Sequence, residues 1–180
     1  MNKLSLIARC GLLTASILVC TLLVHAQKSP QLSDPEVASV AVTANQIDID
    51  YANIAMERSK NEEVLNFART MANDHKSVID QAVALANKLG VTPKSNQLTQ
   101  KLLADAEKTK TQLSAVTGHA FDKAYIDNEV AYHKAVIEVV EGQLIPTTDN
   151  GELKQLLQKV VPTLKSHLSH AEMLQKNISK

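Results

Sequence analysis

The pattern of apolar positions along the chain predicts helices throughout. From Ser33 onward, apolar residues recur every three or four positions, the spacing of one face of a 3.6-residue helix. The first long helix opens at Ser33-Asp34-Pro35-Glu36, with a capping residue, an early proline and an acidic first turn. It is expected to end near Arg58, and its stripe is Val37, Val40, Ala41, Ala44, Ile47, Tyr51 and Ile54. The second follows a tight link, with Ser59 and Glu62 in capping-box spacing. Its stripe of Val64, Ala68, Met71, Val78, Ala82, Ala86 and Leu89 is closed by Gly90. After the loop Val91-Thr92-Pro93, a weakly amphipathic helix is predicted over 97–116, ended by Gly118. A third long helix is predicted over 119–144, carrying Phe121, Tyr125, Tyr132, Val136 and Val139. A turn over 146–150 leads to a last helix capped by Asp149 with Glu152, bearing Leu153, Leu157, Val160, Leu164, Leu168, Ala171 and Leu174. Pro162 lies inside it, where a missing N–H and a steric clash predict a kink or a restart. Short first and last links and a long middle one predict an all-α four-helix bundle, its crossover between the second and third long helices containing an extra short helix.

The segment before Ser33 changes the picture. Lys3 and Arg9 precede a largely apolar stretch from Cys10 to Val24, and Val24-His25-Ala26 has the form of a cleavage site. Residues 1–26 are therefore expected to be a secretory signal peptide and residues 27–180 the bundle domain. An apolar stretch of this length falls short of the roughly 20 residues that span a bilayer, which argues against an uncleaved anchor. A lipoprotein reading would use Cys20, but Leu18 and Val19 before it are larger than a lipobox prefers. The two cysteines, Cys10 and Cys20, both lie in this leader. The mature chain therefore has no disulfide, thiolate metal ligand or cysteine nucleophile. Loss of Lys3 and Arg9 leaves a slight acidic excess, which gives no reason to expect a nucleic-acid partner. The expected location is the periplasm, with outer-membrane association as a further option. The expected partners are another envelope protein or a second copy of the chain.

Candidate chemistry lies inside the stripes. His75, His133 and His167 each occupy a core-facing position, and the first helix adds Asp48 and Asp50. At about 1.5 Å per residue, Asp48 and His75 lie about 18 and 22 Å from the link near Lys60. His133 lies about 21 Å along its helix, and His167 roughly 15 Å from the end of the last one. These heights allow one mid-bundle layer. Neutral imidazoles with a carboxylate suit zinc, iron, copper or manganese, with Asp74 and Glu141 as acceptors that fix imidazole tautomers. The competing reading is a buried polar layer of separately satisfied histidines that fixes helix register; proton chemistry is a third. His167-x-x-His170 could hold a metal alone, but His170 is expected to face water. Tyr51, Tyr125 and Tyr132 read as core residues with a polar tip. No catalytic residue is assigned. The di-iron bundle signature needs two Glu-x-x-His motifs, and Glu129 and His133 are four apart. G-x-S-x-G, H-E-x-x-H and glycine-rich phosphate-loop motifs are absent.

Four phrases together resemble a known family. They are Asn45-Gln-Ile-Asp-Ile-Asp-Tyr51, Phe67-Ala-Arg-Thr-Met-Ala-Asn-Asp-His75, Ala120-Phe-Asp-Lys-Ala-Tyr125 leading to His133, and Pro162-Thr-Leu-Lys-Ser-His167. The chain resembles the bacterial domain of unknown function 4142 over nearly all of the mature part. The resemblance implies a ferritin-like bundle and an envelope location, and brings no established activity. The family has Glu-x-Glu where this chain has Asp48 and Asp50, so a shared metal role would rest here on shorter carboxylates. Two function classes follow: a non-catalytic, binding or stress-related envelope bundle, and a metal-binding or redox protein using the His/Asp cluster.

Overall fold

The computed structural model describes residues 31–178, and the expected leader and cleavage site lie outside them. The elements are α1 (Asp34–Arg58), α2 (Glu62–Leu89), α3 (Gln97–Ser114), α4 (Gly118–Val139), a π-helical turn (Val140–Leu144), the short α5 (Ile145–Thr147) and α6 (Gly151–Ile178). There is no strand among the described residues. The fold is the all-α bundle with a long crossover.

Side-chain links fix the topology. Ser39 meets Thr99, Asp50 meets Lys110, and Arg58 donates to the carbonyls of Ser114 and Val116. The crossover helix α3 therefore runs parallel to α1 and covers its outer flank. Asp74 meets His167 and Lys88 meets Glu152, so α2 and α6 are antiparallel. The crossover returns the chain to the α1 C-terminal end, and α4 then runs parallel to α2.

Local chemistry explains most boundaries and corrects several expectations. At the start of α1 the Ser33 N–H donates to the Glu36 carboxylate at 3.0 Å, half of a capping box. The α2 cap is Asn61, whose side chain accepts from the Glu63 N–H at 2.9 Å, rather than Ser59. Ser59 is drawn away because its hydroxyl donates to Asp122 at 2.5 Å across the bundle. Gly90 ends α2 at φ +64°, a left-handed conformation that glycine adopts without Cβ strain. Gly118, expected to end the crossover helix, instead opens α4. Asn150 caps α6 through the N–H groups of Glu152 and Leu153, while Asp34 accepts from the N–H groups of Asp149 and Asn150. Part of the expected 146–150 turn is helical, because the π turn carries the chain on into α5. Pro146 has no N–H to give to Gly142, and the hydrogen-bond register shifts just before it, with the Ile145 N–H bonding to Val140. α6 continues through Pro162 without a restart. Pro162 and Gln158, whose carbonyl loses its donor, both face water.

The core falls into two apolar clusters. One, toward the α1–α2 link, holds Tyr51, Phe67, Met71, Phe121, Tyr125 and Leu174. The other, toward the opposite end, holds Val37, Val40, Ile137, Leu144, Leu157 and Leu164. α2 contributes buried residues only up to His75; its later stripe from Val78 to Leu89 is half-buried. Between the clusters lies a layer of polar side chains.

Candidate metal centre

Four helices deliver that layer. Asp48 comes from α1, His75 from α2, His133 from α4 and His167 from α6, all less than a tenth exposed. The imidazole centroids form a nearly equilateral triangle with sides of 5.3, 5.5 and 5.7 Å. Asp48 Oδ2 lies 3.4 Å from His75 Nε2 and 3.6 Å from His133 Nε2. One nitrogen of each of the three rings can be chosen so that all three lie within 4.8 Å of one another.

Each imidazole is held from outside the triangle. His75 Nδ1 is 2.7 Å from the Asn45 side-chain oxygen. His133 Nδ1 is 3.0 Å from the Glu129 carbonyl oxygen, one turn back on the same helix. His167 Nε2 is 2.9 Å from Asp74. All three acceptors are oxygens, so in a neutral ring the proton sits on the nitrogen that faces them. The opposite nitrogens, His75 Nε2, His133 Nε2 and His167 Nδ1, are buried without a hydrogen-bond partner, as are both oxygens of Asp48. Three lone pairs and a carboxylate therefore share a buried layer without donors of their own, an arrangement that an unshared cation or proton completes.

Burial dominates the electrostatics. It pushes the Asp48 carboxyl up to about 8. It pushes His75 down to about 3, helped by the neighbouring His133 and His167, and His133 down to about 4. His75 and His133 are therefore neutral at pH 7, the form that ligates metal.

The structure separates the other expected site residues from this layer. Asp50 points to the α1–α3 seam, where it pairs with Lys110 at 3.0 Å and accepts from Gln46. Glu141 is on the π turn, paired with Lys165 at the surface and out of reach of the imidazoles. Asp74 does hold an imidazole, that of His167. His170 is half-buried with its ring edge-on to Phe67 at 5.2 Å, rather than facing water.

Glu129 was not among the expected ligands. It is fully buried, its Oε2 is 3.6 Å from His133 Nδ1, and neither carboxyl oxygen has a hydrogen-bond partner. Burial first, and then the charge of Asp48, push its pKa well up. Asp48, Glu129 and His133 form a second close group that shares two residues with the layer. The sequence carried a signal for it: Phe121, Tyr125, Glu129, His133 and Ile137 recur every four residues along one buried row of α4.

The fold is shared with solved structures. A DUF305 protein from Streptomyces coelicolor superimposes with a TM-score of 0.68 at 14% identity, covering 80% of this chain and 92% of that one. CopM in its Cu(II)-bound form superimposes with a TM-score of 0.62 at 16% identity, covering 82% of this chain and 98% of that one. No curated protein matches the sequence. The family model for a domain of unknown function, DUF4142, matches residues 22–174, most of the chain. The chain belongs to the DUF4142 family.

Proposed function

We propose that this is an exported, non-catalytic metal-binding protein of the cell envelope, holding one divalent transition-metal ion through His75, His133, His167 and Asp48. One observation carries this reading. Three imidazoles, each anchored through one nitrogen by an oxygen acceptor, turn their bare nitrogens into the same buried layer as an unpartnered carboxylate. Outer acceptors that fix tautomer and ring orientation are what imidazole ligands use. A three-nitrogen, one-oxygen set from four helices suits Zn(II) in a tetrahedral site, and divalent ions bind such sets most strongly at Cu(II). CopM, a bundle of the same fold, has a Cu(II)-bound form, which supports testing copper first. Export is supported by the basic and apolar leader ending at Ala26. No helix of the described residues is long and apolar enough to cross a membrane.

The test is metal analysis of protein purified from its native envelope and exhaustively dialysed, followed by calorimetric titration with Cu(II) and with Zn(II). One equivalent of either ion is expected, and none in the variant carrying His75→Ala, His133→Ala and His167→Ala. A wild-type protein that arrives metal-free and shows no saturable binding of either ion would end this reading.

A further inference from the structure

The bundle is well packed on one side of the polar layer and open inside on the other. A cavity of about 510 Å³ takes in the polar layer at Asp48, His75, His133 and His167, touches Tyr51 and Asn128 just beyond it, and runs the other way to Asp34, Leu89 and Leu153 near the end of the bundle. On each of α1, α2 and α6, fourteen residues separate the layer from that end, so the chamber is about 21 Å long. Its walls are apolar: Ala82, Leu85 and Leu89 from α2, Val136 from α4, and Leu157 and Val160 from α6. This is the stretch in which α2 buries no residue fully, so its apolar stripe stands away from the facing helices.

A well-packed core leaves few voids larger than a water molecule. Water would find few hydrogen-bond partners along these walls. The volume lies within the roughly 300–1,000 Å³ of pockets built for small molecules, which are apolar with a few convergent polar groups. Asp34, Asn150, Lys101 and Asp105 line its outer and more exposed parts, while the buried and unpartnered polar groups, His75 Nε2, His167 Nδ1 and the Asp48 carboxyl, lie at the inner end. The two bare ring nitrogens offer acceptors and no donor. The complementary molecule has an unbranched apolar body and one small oxygen head bearing a proton.

We propose that this chamber binds a single-chain aliphatic alcohol or comparable hydroxyl-headed amphiphile, with the chain along α2 and α6 and the hydroxyl at the polar layer. In the metal-free protein the hydroxyl donates to an imidazole nitrogen or to Asp48. The metal ligands proposed above form the inner end of the chamber, but its apolar side walls are separate from them, and chain binding does not rest on that reading.

The experiment is calorimetric titration of metal-free, full-length mature protein with 1-dodecanol, using 1-hexanol as the length control. Dodecanol should bind one to one and at least tenfold more tightly than hexanol, because more of the wall is covered. Ala82→Phe and Ala86→Phe place a ring in the chamber. Each should weaken dodecanol binding at least tenfold, leave metal stoichiometry unchanged and raise the ligand-free melting temperature by filling the void. The triple histidine variant should lose metal and, lacking the imidazole acceptors for the hydroxyl, bind dodecanol more weakly by up to about tenfold. No saturable dodecanol binding, or Phe variants that bind it as tightly as wild type, would overturn the proposal. A fall in melting temperature in both Phe variants would also overturn it, since the chamber would then be already filled by the protein itself.

Discussion

Asp74 on α2 holds His167 on α6 through Nε2 at 2.9 Å, and this bond turns the other ring nitrogen, Nδ1, toward His75 and His133. Asp74 is about half exposed while His167 is buried, so the pair works as an outer brace rather than as a buried ion pair. Removing such a brace typically costs 10–100-fold in metal affinity without removing a ligand. Asp74→Ala should therefore weaken Cu(II) or Zn(II) binding by about that factor. Asp74→Asn should lose less, because its amide oxygen can still accept from the ring. Titration of both variants by calorimetry checks the order, and equal affinity in all three proteins would remove Asp74 from the account.

The metal-free protein should lose stability as pH rises above 6.5. Burial pushes the Asp48 carboxyl up to about 8, so the folded chain keeps a proton that the unfolded chain has already shed. Its contribution therefore falls as pH rises toward 8. His75 and His133, pushed down to about 3 and 4, oppose this below pH 6.5, where the unfolded chain takes up protons that the folded rings refuse. Above pH 6.5 the Asp48 carboxyl acts without that opposition and should cost about 2 kcal/mol between pH 6.5 and 8, with the buried Glu129 carboxyl, also pushed up, acting in the same sense. Urea titrations in EDTA at several pH values measure it. Asp48→Asn should make this decline shallower. With metal present the slope should reverse, since raising pH frees the ligands of protons.

The sequence was informative about the four long helices and about which histidines face inward, because both follow from helical periodicity alone. It was misleading about Asp50. That residue neighbours Ile47 and Ile54 on the helix surface and so shares their stripe, but α3 lies along that flank and supplies Lys110. Where a crossover helix docks is a tertiary fact that the spacing on α1 does not carry. The same holds for Ser59, which has capping-box spacing with Glu62 but is claimed by Asp122, sixty-three positions away. Glu129 was legible by position and missed by chemistry, because it was weighed only against a Glu-x-x-His motif. The chamber was not legible at all: the α2 stripe from Val78 to Leu89 has the periodicity of a packed face, and only the standoff between helices leaves it uncovered.

The two aspartates give a paired test of that reading. Asp50→Ala breaks a partly exposed pair with Lys110 and should cost no more than about 1 kcal/mol, with metal affinity unchanged. Asp48→Ala removes a layer carboxylate two residues away and should weaken metal binding strongly. Parallel metal titrations separate them, and a loss of affinity in the Asp50 variant would mean that the α1–α3 seam also supplies a ligand.

The last prediction concerns whether His75 and His133 act as one unit. Their ring centroids are 5.7 Å apart, and both present a bare nitrogen to the same Asp48 oxygen. His75→Ala and His133→Ala should each cost roughly 1–3 kcal/mol, because each strands buried polar groups. The double variant should cost clearly less than the sum, since the group that both serve is stranded once. Independent core histidines would give additive costs. The same proteins divide a metal layer from a hydrogen-bonded one. A metal in hundredfold excess over its Kd adds about 2.7 kcal/mol to wild-type stability. EDTA should then lower the wild-type melting temperature by roughly 5–10 °C and leave the triple histidine variant unchanged. Coupling without a chelator effect would keep the layer as a hydrogen-bonded register device and discard the metal. Additive costs with no chelator effect would discard both, and the function of the bundle would then lie in its apolar chamber or on its surface.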